Sequence, residues 1–169
     1  MPIYSFYIFD RHCECIYTKQ WHEAERYQSA AAATARRASI TSAPDGVSLP
    51  QAPGRLSVQD DAKLIFGVVF SLRNMVRKLS GPDDSFISFR TNGYKLHYYE
   101  TPTNLRFVML TDTKMSNLRA ALHQIYVNLY VEFVVKNPLS PVEHPGGVGV
   151  GVEMFEYGLE RFIKSIEAE

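Results

Sequence analysis

The sequence predicts an α+β sandwich, in which a five-stranded antiparallel sheet has one helix on one face and two helices on the other. Two observations indicate this class. Strand-like segments occur as a pair near the N-terminus and as a group of three in the middle of the chain. Helical periodicity occurs once between the two groups and twice after them. With 169 residues, 46% of them hydrophobic, the chain is long enough for a single domain spanning residues 1–169.

The first two strands form a predicted hairpin. Residues 3–9 are dense in aromatic and β-branched side chains, which favour a strand, and residues 13–19 are expected to return after a turn at Asp10, Arg11 and His12. We expect the first strand to lie centrally, between its hairpin partner and the last strand of the middle group.

Residues at about 25–58 differ in composition from the rest of the chain. They are rich in alanine, serine, proline and glycine and contain almost no large apolar side chains. Such a segment cannot bury enough apolar surface to offset the entropy lost on ordering. We therefore predict a flexible insertion here.

A helix is predicted over residues 59–79. Asp60 and Asp61 at its start and Arg77 and Lys78 at its end suit the helix dipole, and Gly81 ends it. Its apolar residues form one broad stripe that we expect to face the sheet: Leu64, Ile65, Val68, Val69, Leu72, Met75, Val76 and Leu79.

Three strands follow, at residues 86–90, 94–100 and 104–111. Asn92-Gly93 predicts a tight hairpin between the first two, because both residue types tolerate positive φ. Side chains alternate along the second strand, which places Lys95, His97 and Tyr99 on one face. Both faces of this strand carry aromatic or amphipathic groups, which predicts a sheet that is at least partly covered on both sides.

The second helix is predicted over residues 114–136 and the third over residues 153–166, with a connector rich in proline and glycine at about 137–151. The main apolar seam of the second helix comprises Leu118, Leu122, Ile125, Leu129 and Phe133. A second apolar side comprises Val127, Val131, Val134 and Val135. This order of elements is typical of the longin, or profilin-like, fold.

The composition excludes several classes of function. Eighteen basic residues balance eighteen acidic ones, which argues against a general nucleic-acid or anionic-membrane binder. Cys13 and Cys15 do not make a disulfide framework, and no second ligand pair for a metal accompanies them. The N-terminus lacks the pattern of a secretory signal, and the longest apolar run is too short to cross a membrane. We expect a cytoplasmic protein that binds no metal or cofactor.

Several segments together resemble one family over nearly the whole chain outside the insertion. They are residues 7–11 with Trp21, 67–73, 94–103 (YKLHYYETPT), 129–132 and 134–139. These segments are similar to those of the sedlin-type, longin-fold small subunits of the TRAPP vesicle-tethering complex.

The resemblance implies a subunit without catalytic residues of its own. Such subunits pack with a second longin-type subunit and with α/β-type subunits into an elongated core. The assembled core acts as guanine nucleotide exchange factor for a Rab-family GTPase in transport from the endoplasmic reticulum to the Golgi. The expected location is therefore peripheral to early Golgi and endoplasmic reticulum membranes.

The first helix also offers a candidate partner interface that rests on the residues alone. Phe66 and Phe70 lie off the predicted core stripe, and Arg73 and Arg77 continue the same line. Aromatic residues and arginine are enriched in the cores of interfaces. The alternatives are that the insertion folds over this face or that the sheet curls to cover the phenylalanines.

Two further sets are weaker candidates for partner contact. Val127 and Val131 belong to the second apolar side of the second helix, where the pattern favours burial under the last helix. Lys95, His97 and Tyr99 are expected to face either the first helix or a neighbouring subunit. His97 has no second ligand at metal-binding spacing, so we interpret it as a hydrogen-bonded sheet residue.

No enzyme motif is present. The glycines at 147–151 lack the Lys-Ser/Thr pair of a phosphate-binding loop, and no nucleophile elbow occurs. A different hypothesis is a longin-type adaptor domain that binds a peptide or helix in another coat or fusion machinery, because fold alone does not define function. The lack of a transmembrane or lipidated tail after the domain favours the tethering subunit.

Overall fold

The computed structural model describes residues 2–22, 58–81, 83, 85–147 and 149–168. Nearly all of the predicted insertion at 25–58 lies outside these residues. Five antiparallel strands form one sheet in the order β2-β1-β5-β4-β3, which places the N-terminal strand centrally, as predicted. The strands are β1 (Ile3–Phe9), β2 (Cys15–Gln20), β3 (Ser88–Arg90), β4 (Lys95–Glu100) and β5 (Arg106–Thr111).

The helices cover both faces of the sheet. They are α1 (Val58–Ser80), α2 (Arg119–Gln124), which continues directly as a π-helical segment (Ile125–Val135), and α3 (Glu153–Ala168). Helix α1 packs on one face, and the other helical elements pack on the opposite face. The expected α+β architecture of the longin type, with one helix against two, is confirmed.

Alternate side chains of β1 belong to two separate hydrophobic cores, one on each face of the sheet. Phe6 and Ile8 point to the side of α2 and α3, whereas Tyr7 and Phe9 point to the side of α1. All four side chains are at most 2% exposed. This double burial explains why β1 is apolar at nearly every position instead of alternating with polar residues.

The predicted sheet-facing stripe of α1 is partly wrong. Within the described residues, the fully buried side chains of α1 are Ala62 and Val69, whereas Leu64 is 59% exposed and Leu79 is 80% exposed. The buried face is rotated from the predicted one by somewhat less than one residue step of ~100°. The sheet presents large aromatic rings on this face, so small side chains make the closest approach.

The predicted seam of the second helix shifts by one residue after Ile125. The buried positions that follow are Tyr130 and Val134 instead of Leu129 and Phe133, which are only partly buried. The wider turn of a π-helix, closed by i→i+5 hydrogen bonds, causes this shift. The bond from the Lys136 N–H to the Val131 carbonyl has this spacing.

The predicted connector at 137–151 lies along the outer edge of the sheet. The Val150 N–H donates to the Ile16 carbonyl of β2 at 2.8 Å, and the Gly147 N–H donates to Glu14 Oε2 at 3.0 Å. Gly147 has a φ of +73°, and a Cβ at this position would lie 3.5 Å from the Cys15 carbonyl oxygen. The glycines thus let the connector come close to β2 and cover an edge that would otherwise be open to association.

The N-terminal hairpin begins its second strand later than predicted. Cys13 lies in the turn with a φ of +69°, and β2 starts only at Cys15. Both cysteines are unpaired thiols, as expected. Across the described ranges, no helix is long and apolar enough to span a bilayer.

Candidate partner interface

The three candidate residues of β4 face α2. Lys95 Nζ donates to the Met115 carbonyl at 3.0 Å, just before α2 begins. The Tyr99 ring lies 5.6 Å from the His123 ring in an edge-to-face arrangement. The alternative that Lys95, His97 and Tyr99 face the first helix is therefore wrong, because α2 lies on this side of β4. Contact with a neighbouring subunit stays a prediction for Lys95 and Tyr99, which are half-buried.

His97 is a buried structural residue, and its side chain is only 1% exposed. Its Nδ1 accepts a hydrogen bond from the Leu118 N–H at 3.4 Å, so its proton lies on Nε2, which donates to Thr111 Oγ1 at 3.0 Å. Burial, with a smaller contribution from the charge of Lys95, lowers the pKa of His97 to about 4. The neutral ring thus links β4 and β5 to the start of α2.

The two phenylalanines of α1 have different environments. Phe66 is partly buried, and its ring centroid lies 5.2 Å from that of Phe9, so the alternative that the sheet covers the phenylalanines holds for this residue. Phe70 stacks on Phe66 at 5.9 Å and remains 48% exposed. An aromatic row therefore leads from the core to the surface of α1 and ends at Phe70.

The two arginines of α1 also differ. Arg73 donates from Nε and Nη2 to the two carboxylate oxygens of Glu100, at 2.9 Å and 2.8 Å. This side chain is only 16% exposed, and Glu100 also accepts from the hydroxyl of Tyr98 at 3.2 Å. Arg73 therefore joins α1 to the end of β4, whereas Arg77 is exposed one turn later.

Sequence reasoning missed the largest exposed apolar feature of α1 because it assigned these residues to the core. Four side chains on one side of the helix are 41–80% exposed, and we call them the α1 stripe: Leu64, Val68, Met75 and Leu79. They recur over four turns, as on one face of an amphipathic helix. Burial in the structure was the only signal that distinguished them from core residues.

The valines of the π-helical segment divide between core and surface. Val134 is 4% exposed and belongs to the core beneath α2 and α3. Val127 is 41% exposed and Val135 is 62% exposed, with Val131 half-buried between them. Burial under the last helix, which the pattern favoured, therefore holds for Val134 and is wrong for Val127 and Val135.

The geometry supports binding more than it supports a reaction. In the described part of the chain, no group of three or more histidine, cysteine or carboxylate side chains is placed to hold a metal ion. Burial raises the pKa of Cys15 to about 11, so this thiol is a poor nucleophile at neutral pH. On α1, the exposed candidate residues are aliphatic side chains, the ring of Phe70 and Arg77.

The family model of the Sybindin-like family matches residues 3–166. The chain belongs to the Sybindin-like family. Transport protein particle subunit bet5 of Schizosaccharomyces pombe is 42% identical over 169 residues, covering 98% of each chain. Trafficking protein particle complex subunit 1 of Homo sapiens is 35% identical over 168 residues, covering 98% of this chain and 94% of the relative. The resemblance to small TRAPP subunits is confirmed.

A second type of subunit is also similar to this Sybindin-like chain. Trafficking protein particle complex subunit 4 of Pongo abelii is 30% identical over 117 residues, covering 68% of this chain and 51% of the relative. By their names, these relatives are different subunits of a trafficking protein particle. Vesicle trafficking is thus the setting in which relatives of this chain work.

Proposed function

We propose that this chain is a non-catalytic core subunit of a trafficking protein particle and that it docks onto neighbouring subunits through α1. The particle acts as guanine nucleotide exchange factor for a Rab-family GTPase and tethers vesicles between the endoplasmic reticulum and the Golgi. Exchange of this type works by binding, because an assembly that prefers one state of the GTPase shifts its equilibrium. The subunit then contributes shape and charge and needs no reactive group.

The observation that carries the proposal is the α1 stripe. Phe70 lies ~150° around the helix from the stripe and is a separate exposed position. The stripe runs from residue 64 to residue 79, which corresponds to ~22 Å along an α-helix. Contiguous exposed apolar side chains of this kind mark interaction sites more often than ordinary surface. A partner element laid along α1 would remove them from water.

We assign the α1 stripe to a second longin-type subunit of the particle. The particle has at least two subunits that are similar to this chain, namely those named subunit 1 and subunit 4 in other organisms. A partner of the same fold brings an amphipathic helix of its own. Val127 and Val131, on the other layer, are assigned to a subunit of the α/β type.

Co-expression with the other subunits of the particle tests this function. Val68→Glu with Met75→Glu places two carboxylates in the stripe, at positions that are already exposed in the isolated chain. We expect this variant to fold but to elute apart from the particle, and the particle lacking it to lose exchange activity on the Rab GTPase. The matched control is Lys63→Glu, which changes an exposed charge on the same helix.

Two results would contradict the proposal. One is normal co-elution of the Val68→Glu, Met75→Glu variant with full exchange activity. The other is recovery of the wild-type chain as a monomer while the remaining subunits assemble and catalyse exchange without it. Circular dichroism of the purified variant separates loss of docking from loss of folding.

A further inference from the structure

A polar pocket of about 140 Å³ lies at the edge of the sheet where β3 is absent beside the end of β4. Strand β3 pairs with Lys95 to His97, and the Tyr98 N–H donates to the Ile87 carbonyl at 2.9 Å. Tyr99 and Glu100 extend beyond this pairing and line the pocket together with Tyr98. Successive side chains of β4 point to opposite faces of the sheet. The pocket therefore receives groups from both helical layers.

Two arginines at this pocket have unused hydrogen-bond donors. Arg77 comes from α1, and Arg119 is the first residue of α2, on the other face of the sheet. Arg119 Nη1 donates one long bond of 3.4 Å to Ser85 Oγ. Within the described part of the chain, neither guanidinium forms an ion pair. Two cationic groups from different layers are thus directed to one small space.

The other charged side chains that line the pocket do not cancel the positive charge of Arg77 and Arg119. Arg73 and Glu100 neutralise each other through their two hydrogen bonds. Asp83 lines the pocket and is exposed. Three guanidinium groups and two carboxylates line the pocket, and Arg106 Nε lies a further 3.8 Å from Glu100 Oε1. This excess of positive charge favours an anionic group, and an acidic side chain is the anion that a protein partner presents without modification.

We propose that this pocket receives the side chain of an aspartate or glutamate from another subunit of the particle, held between Arg77 and Arg119. Arginine forms paired hydrogen bonds with a carboxylate, and its planar group suits contacts between proteins. Phe86 and Tyr98 line the same pocket and offer apolar contact to a residue next to the acid. The inference rests on the proposed function, since it deepens how the chain is held in the particle.

Zero-length cross-linking tests the contact directly. Arg77→Lys and Arg119→Lys keep the positive charge and introduce a primary amine at each position. A carbodiimide then joins that amine to a carboxylate in direct contact, by forming an amide and releasing the activated oxygen as a urea. The matched control is Arg161→Lys, which introduces the same amine on the exposed side of α3.

We expect mass spectrometry of the assembled particle to find an amide from position 77 or 119 to an aspartate or glutamate of a different subunit, and none from position 161. Cross-links confined to Asp83 or Glu100 of the same chain, or no cross-link from these positions, would overturn the proposal. Because the cross-linked sample is a particle that contains the chain, this failure is distinct from failure of the proposed function, in which no such particle forms.

A charge-reversed variant gives an independent measurement. We expect the double variant Arg77→Glu, Arg119→Glu to weaken association with the partner subunit about tenfold or more. Loss of a charge-assisted hydrogen bond has an effect of this size. Prior phosphatase treatment of the partner should leave wild-type association unchanged. If phosphatase treatment instead abolishes it, the pocket binds a phosphate group and the carboxylate proposal is wrong.

Discussion

The two faces of the sheet are covered in different ways. On one face, α2, the π-helical segment and α3 interlock, and α3 alone buries Phe155, Leu159 and Ile163 completely. On the other face, α1 covers the aromatic surface with Ala62 and Val69 as its fully buried residues. Helix α1 also has large apolar side chains on its outer side. The comparison indicates that α3 buries more large side chains completely within one chain than α1 does.

The largest expected effect is a difference between the two layers in how much a phenylalanine contributes to the free energy of unfolding. Phe155→Ala removes a ring that is 0% exposed and lies in edge-to-face contact with Tyr17 and Tyr130. We expect a loss of ~3–5 kcal/mol in the free energy of unfolding, as for other buried phenylalanines. Phe70→Ala, on the α1 layer, should cost less than ~1 kcal/mol. Urea unfolding of the purified chain measures both, and similar losses would show that the layers do not differ as described.

The next prediction concerns association with a partner, for which a residue of the α1 layer should matter more than one of the two-helix layer. Phe70→Glu places a charge at the exposed end of the aromatic row, where it should leave the fold intact. Hot-spot aromatic residues cost ~2 kcal/mol or more in association when they are removed. A pull-down with the other subunits should therefore lose a partner that contacts the Phe70 side of α1. Unchanged co-purification would exclude Phe70 from the interface.

Acid should weaken the two-helix layer through His97. Its pKa in the folded chain, about 4, is below the value of 6.5 for an unperturbed histidine. Between these two values the unfolded chain binds more protons, so the contribution of neutral His97 is full above pH 6.5 and is lost as the pH falls through 4. We expect this contribution to be about 3 kcal/mol. Unfolding at several pH values, with His97→Gln as the variant that lacks this dependence, measures it.

The smallest effect compares one glycine from each layer. A Cβ on Gly67 of α1 would meet nothing within 4 Å, whereas a Cβ on Gly158 of α3 would lie 2.8 Å from Leu129 Cδ2. Gly67→Ala should therefore stabilise the chain by about 0.5–1 kcal/mol, the usual gain in a helix. Gly158→Ala should lose that gain because Leu129 must move. Equal stabilisation by both substitutions, measured by thermal unfolding, would show that α3 is packed less closely than the structure indicates.

Local patterns were sufficient for much of the fold. Strand-like segments of the sequence predicted each of the five strands, and Asn92-Gly93 predicted the β3–β4 hairpin, which closes with a hydrogen bond from the Thr91 N–H to the Tyr94 carbonyl at 2.9 Å. The family could also be identified from the sequence, because the resemblance lies in short runs of consecutive residues.

The candidate interface was predicted less well. Of its nine residues, Phe70 and Arg77 are exposed on α1 as expected, whereas His97 is in the core and Arg73 is held by Glu100.

The sequence by itself determined the order of strands and helices and their turns, because these depend on the spacing of neighbouring residues. The family was identified by the resemblance of its segments to those of known members. The tertiary structure decided which side of α1 meets the sheet and where the burial pattern shifts in the π-helical segment. It also placed Arg77 and Arg119 at one pocket. An apolar residue is equally apolar in a core or at an interface, so its pattern cannot tell the two apart. Only the shape of the opposing surface, here the large aromatic rings of the sheet, selects the helix face that is buried.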